Sequence, residues 1–108
     1  MKTLKFAPDL VPLILNGSKT STWRLFDDKD LTEGNELSLI NKETGEEFAK
    51  AKITSIKQTT LGNLTDEDKE GHESFESDEQ MYETYKKYYG VEVGPATPLK
   101  IIRFALLS

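Results

Sequence analysis

The sequence predicts an α+β fold: a small barrel of short strands with brief helices set between them. Three features point there. Short strand-like patterns alternate with stretches that carry helix start and stop signals. The 108 residues show no repeat, no low-complexity linker and no composition break, so one domain spanning 1–108 is expected. A turn-rich stretch at 42–46 separates two apolar-patterned runs, as a hairpin requires.

Each element has its own signal. Residues 1–6 read as a strand with Lys2 and Lys5 outward. Ala7-Pro8-Asp9 is a helix start, since proline is tolerated in a first turn. Leu10, Val11, Leu13, Ile14 and Leu15 give that helix its apolar face, and Pro12 keeps it short. Asn16-Gly17 stops it, with Gly17 suited to a left-handed cap. Residues 18–25 are extended, 26–34 a charged loop, and 36–41 a strand around Leu37, Leu39 and Ile40. Residues 47–59 form the longest strand, and the break in its alternation before Ile56 invites a bulge. After a connector at 60–64, Thr65 with Asp68 resembles a capping box for a short helix ending near Gly71. Ser77 with Gln80 opens a second helix, closed by Gly90. Its docked face is expected to be Met81, Tyr85 and Tyr88. After a loop at 91–98, residues 99–106 are the last strand, alternating less cleanly than a one-sided sheet would.

Composition narrows the function. The absence of cysteine excludes disulfides, thiolate catalysis and cysteine-ligated metals. The single histidine, His72, rules out histidine-rich metal sites and leaves only a carboxylate site open; no metal or cofactor is expected. No apolar run approaches the ~20 residues of a membrane helix, and the N-terminus lacks a signal-peptide layout. A soluble cytoplasmic protein without membrane partners is expected. A net charge of −5 disfavours extended duplex DNA as a partner. The charge is uneven: residues 66–79 hold eight acids and one lysine, while Lys19, Arg24, Lys57, Lys100 and Arg103 lie outside that run.

The chemistry concentrates in Gly17-Ser18-Lys19-Thr20-Ser21-Thr22-Trp23-Arg24. A threonine hydroxyl needs a base before it attacks an amide, and lysine serves when its environment favours the neutral amine. In a straight strand, Thr20, Thr22 and Arg24 share one face and Lys19 joins Ser21 and Trp23 on the other. Lys19 meets Thr22 only if the chain bends near Gly17, so Lys19 is expected in the turn. Arg24, on the face of Thr22, is the safer ligand contact. The lone Trp23 leans toward core but is also a stacking candidate. Arg103 and Lys100 on the last strand either line the same cleft or face water.

The order of these motifs resembles a known family. An apolar helix runs into Gly17-x-Lys19-Thr20-x-Thr22-x-Arg24. There follow Gly34-x-x-Leu37, Ala51-x-Ile53-Thr54, Leu64-Thr65, Glu70-Gly71-His72 and Ile101-x-x-Phe104. Over roughly residues 4–106 this resembles the ASCH domain family. The resemblance implies a small β-barrel similar to the PUA RNA-binding fold, with a ligand cleft beside the barrel. One group of small members hydrolyses the acetyl amide of N4-acetylcytidine with a lysine, a threonine and a glutamate. The resemblance places these on Lys19 as base, Thr22 as nucleophile and Glu70 as acid, with Glu73 as the alternative acid. Ligand contacts are expected from Gly17, Thr20, Trp23, Arg24, His72 and Arg103. The expected partner is a nucleoside, a nucleotide or single-stranded RNA, held by a monomer. A non-catalytic RNA or nucleotide-binding module and an RNA-cleaving enzyme stay open as alternatives using the same cleft.

Overall fold

The computed structural model describes residues 2–25, 31–72 and 75–107. In chain order these form β1 (Lys2–Phe6), α1 (Val11–Leu15), β2 (Ser21–Leu25), β3 (Glu36–Asn41), β4 (Glu47–Thr60), α2 (Asp66–Lys69), α3 (Asp78–Tyr89) and β5 (Pro98–Leu106). The expected α+β architecture is observed. The helix read over 8–15 is divided, however, into a 3-10 turn at Pro8–Leu10 and α1. Pro12 has no N–H to return to Pro8, so Val11 donates to the Pro8 carbonyl and closes the tighter turn.

The described strands make one mixed sheet in the order β1-β3-β4-β5-β2. β1 runs parallel to β3, and the other pairs are antiparallel. The sheet curls into a half-barrel, and its two edge strands, β1 and β2, come within reach of one side chain. Arg24 on β2 donates from Nη2 to the Lys5 carbonyl on β1 at 2.9 Å. The bulge expected in the long strand is present as a register shift against β5 between Ile53 and Ser55. It restores burial after the parity break, with Ile53 before it and Ile56 after it packed on one core.

Both faces of this sheet are covered. On one face Leu4, Phe6, Leu37, Leu39, Ile102 and Phe104 pack with Ile14 of α1. On the other, Trp23, Leu25, Leu99 and Ile101 pack with Met81 and Tyr85 of α3. β5 serves both cores, which is why its alternation is blurred: Ile101 is 2% exposed and its neighbour Ile102 0%. Side chains buried this fully contribute on the order of 1.5–3 kcal/mol each.

Helix ends follow the local signals. Thr65 and Asp68 form the reciprocal capping box at α2. At α3, Ser77 Oγ accepts from the Gln80 N–H at 3.1 Å, while Gln80 Oε1 accepts from Glu76 N–H, one residue before the cap. The docked face of α3 is Met81, Tyr85 and Tyr89 rather than Met81, Tyr85 and Tyr88. Tyr88 is 60% exposed, whereas the Tyr89 hydroxyl accepts from Leu25 N–H at 3.1 Å. Residues four and eight after Met81 stay on one helical stripe, and the residue seven after it falls toward the stripe's edge.

Candidate functional site

The site forms at the free edge of β2. α1 is followed by Gly17 at φ +85°, and the Lys19 N–H then donates to Leu13 O at 2.9 Å. That bond ties Lys19 to the helix C-terminus, in the turn and not in the strand, as the bend at Gly17 predicts. β2 begins only at Ser21. One edge of β2 is paired to β5, and among the described residues the other has no neighbouring strand. Lys19 thus stands outside the strand, and the alternation that would separate it from Thr22 does not apply to it.

Lys19 and Thr22 line one cleft of about 200 Å³ with Trp23, Arg24, His72 and the tyrosines of α3. Both are withdrawn from water, Lys19 at 3% and Thr22 at 5% exposure. Arg24 Nε donates to Thr22 Oγ1 at 3.1 Å, and its guanidinium lies 4.9 Å from the Phe6 ring centroid. A further bond, to Lys5 O, holds the fork from the opposite edge strand. A charged donor on the hydroxyl oxygen stabilises negative charge there and leaves the hydroxyl proton to be given to a base.

The wall opposite is an aromatic pile. Trp23 belongs to the α3-side core, and the His72 ring stacks on it at 3.8 Å with a 13° interplanar angle. The Tyr85 hydroxyl lies 3.3 Å from His72 Nε2. Trp23 and His72 also line a second, smaller cavity with Phe75 and Met81, so their stack is the partition between two spaces.

Gly71 holds this arrangement in place. Its carbonyl accepts from both Thr20 N–H at 2.8 Å and Ser21 N–H at 3.1 Å. Its φ is +75°, and a Cβ there would lie 2.0 Å from Thr20 Oγ1. Thr20 is thus a packing partner of Gly71, with an exposed side chain outside the cleft lining. Gly17 is exposed and sets the bend without lining the cleft.

Two further expected site residues are placed elsewhere. Glu70 is exposed and does not line the cleft; its backbone carbonyl accepts from Arg103 Nη1 at 3.1 Å. Arg103 also donates to Glu67 O, so it staples β5 to the carbonyl end of α2 and is not in the cleft lining. Exposed carbonyls at a helix end attract a guanidinium in this way. The alternative acid, Glu73, lies outside the described residues.

α2 is fixed from its other side as well. Lys57 Nζ on β4 donates to Asp68 Oδ1 at 2.8 Å and to Oδ2 at 3.0 Å. Burial pushes the Asp68 carboxyl up, but the bonds from Lys57 and from the Thr65 N–H and hydroxyl outweigh it and hold the group below its ordinary value.

Lys5 and Lys42 also line the cleft and carry no motif that singles them out. They arrive there through the parallel pairing of β1 with β3, beside which Lys42 N–H donates to Phe6 O at 2.8 Å. No group of three or more potential metal ligands occurs among the described residues. No helix among them is long and apolar enough to cross a membrane.

A family model described as the ASCH domain matches residues 2–108. No curated protein matches the chain. Solved structures with the same fold include an ASCH domain from Lactobacillus crispatus, 17% identical, covering 91% of this chain and 70% of its own, with a TM-score of 0.71. A protein from Enterococcus faecalis is 14% identical, with 99% and 76% coverage and a TM-score of 0.82. An ASCH protein from Zymomonas mobilis is 15% identical, with 95% and 65% coverage and a TM-score of 0.66. At these identities the likeness is one of fold.

Proposed function

The chain belongs to the ASCH domain family, and from that premise we propose that it is an amidohydrolase of a modified nucleoside, removing the acetyl group from the exocyclic amine of N4-acetylcytidine. One observation carries the reading: a lysine and a threonine, both withdrawn from water, line one small cleft with a wall of aromatic rings. A cleft of this size suits a single base and its sugar better than a polymer.

In this scheme Thr22 Oγ attacks the acetyl carbonyl carbon while the neutral Lys19 amine takes the hydroxyl proton. The donor from Arg24 Nε steadies the developing charge on Thr22 Oγ1. Collapse of the tetrahedral intermediate breaks the C–N bond. The cytidine amine leaves with the proton that Lys19 received, and acetate remains as an ester on Thr22. Water then hydrolyses the ester, with Lys19 again moving the proton, and the enzyme is restored. Glu70 is left out because its carboxylate is exposed and outside the cleft lining. The pyrimidine is assigned to the tyrosines of α3, because one face of Trp23 is already covered by His72.

Acetate release from N4-acetylcytidine tests the scheme. Thr22→Ala and Lys19→Met are each expected to lower kcat/KM by about a hundredfold or more. An inactive wild-type protein, or undiminished turnover in Thr22→Ala, overturns it. The exposed position of Glu70 favours a second reading, a module that binds cytidine-type ligands without chemistry. Ligand binding by a wild type that releases no acetate would select that reading, and cleavage of added RNA would select a nuclease.

A further inference from the structure

β2 is the last strand in the sheet order, and its register against β5 decides which of its main-chain groups face the cleft. In an antiparallel pair the N–H and C=O of one residue point to the same side, and successive residues alternate. The Thr20 carbonyl accepts from Phe104 N–H on β5 at 3.1 Å. Thr22, opposite Ile102, and Arg24, opposite Lys100, follow in the same phase, so their main-chain groups turn toward β5. Those of Ser21, Trp23 and Leu25 turn away from it, to the open edge of β2.

Two of these three are already engaged, and both bonds agree with that phase. Ser21 N–H donates to Gly71 O at 3.1 Å, and Leu25 N–H donates to the Tyr89 hydroxyl at 3.1 Å. Trp23 stands between them, and no group among the described residues takes its N–H or its C=O. Trp23 is 3% exposed and lines the cleft, and a main-chain pair this deep is ordinarily bonded. The open edge is one residue long, bounded by Gly71 at one end and Tyr89 at the other. An added β-strand needs a longer run of open edge, so the occupant is a small planar ligand and not a peptide.

We propose that the Trp23 main chain is the base-reading edge of the cleft: its N–H donates to N3 of a cytosine-type base, and its C=O accepts from the exocyclic N4–H. The assignment rests on the nucleoside-hydrolase reading and adds the groups that select the base. A ring nitrogen acceptor beside an exocyclic N–H is the complement of one residue's donor and acceptor on a strand edge. Acetylation leaves one hydrogen on N4, so substrate and product carry the same pair. The pairing also brings N4, with the acetyl group on it, to the residue next to Thr22.

Titration of the isotope-labelled protein with cytidine, 3-deazacytidine and pyrimidin-2-one riboside, followed by amide NMR and calorimetry, tests the assignment without turnover. 3-Deazacytidine lacks the N3 acceptor, and the riboside lacks the exocyclic amine. Each is expected to bind about tenfold more weakly than cytidine, the size of one lost hydrogen bond. Cytidine and the riboside are expected to move the Trp23 amide proton downfield and to slow its exchange with solvent by about tenfold or more. 3-Deazacytidine is expected to do neither. The amides of Ser21 and Leu25, already bonded, are expected to keep their protection throughout. Equal affinity for cytidine and either analogue, or binding that leaves the Trp23 amide unmoved, overturns the edge assignment while leaving the nucleoside reading standing. So does a response confined to the indole N–H of this only tryptophan, whose Nε1 is buried without a hydrogen-bond partner among the described residues. No binding of cytidine overturns both.

Discussion

Gly71 links the site to the fold through one carbonyl oxygen, which accepts from Thr20 and Ser21 just before Thr22. Any side chain there meets Thr20 Oγ1 and is held at a positive φ. Gly71→Ala is expected to cost more than ~1 kcal/mol from the backbone conformation alone, and more again from the collision. A thermal melt checks this: for a domain of this size ~1 kcal/mol corresponds to roughly 4–8 °C, and an unchanged Tm contradicts it. Arg24 is the second such residue. Its planar fork bonds Thr22 Oγ1 and Lys5 O at once, which the single ammonium of a lysine does not reproduce. Arg24→Lys is therefore expected to lower kcat on N4-acetylcytidine by about tenfold or more with a smaller change in KM. The reverse pattern, a raised KM at constant kcat, would make Arg24 a ligand contact alone.

At the level of the element, one carboxylate both caps and anchors α2. Asp68 caps the helix through Thr65 and anchors it to β4 through Lys57. Its carboxyl titrates below its ordinary value of 3.8 in the folded protein. The unfolded chain then takes up the proton first as pH falls, so this contribution is whole above about pH 4 and is lost as pH drops through the folded-state value. Asp68→Asn is expected to cost about 1–2 kcal/mol at pH 7 and to flatten the loss of stability in acid, read from denaturant midpoints at pH 7 and pH 3. A variant with the same acid dependence as wild type would assign that dependence elsewhere. Thr65 with Asp68 was legible in the sequence because a capping box is a local signal spanning four residues. Gly17 and the turn position of Lys19 were legible for the same reason. Lys5 and Lys42 were not, because their meeting depends on the parallel β1–β3 pairing between distant segments. Helix phase explains Tyr88: the seventh residue after Met81 lies near the docked stripe, and only packing decides that Tyr89 takes the place. Glu70 was placed by its Glu-Gly-His motif after the Leu64-Thr65 helix start, with a spacing shorter than the family's, and its position as the C-cap residue of α2 turns its carbonyl toward Arg103.

The whole molecule is one sheet shared by two cores, and β5 is the wall between them. Ile101 faces α3 and Trp23, while Ile102 faces α1 and Phe104. If β5 couples the cores, neither half melts alone. Trp23 is the only tryptophan and sits in the α3-side core, so its fluorescence reports that half. Far-UV circular dichroism reports the sheet as a whole. The two signals are expected to give one coincident urea transition. Ile101→Ala and Ile102→Ala remove a buried side chain from opposite faces, each at a cost of about 2–5 kcal/mol. Each is expected to lower both midpoints together, including the fluorescence midpoint for Ile102→Ala, whose side chain is on the far side from Trp23. A fluorescence transition that shifts with Ile101→Ala and stays in place with Ile102→Ala would mean two independently stable halves. The cleft would then be a seam between them, since its lining draws Phe6 from one core and Trp23 from the other. With one transition, the rigidity of Thr22 against Lys19 depends on both cores at once. Destabilising either face is then expected to lower turnover before it unfolds the chain.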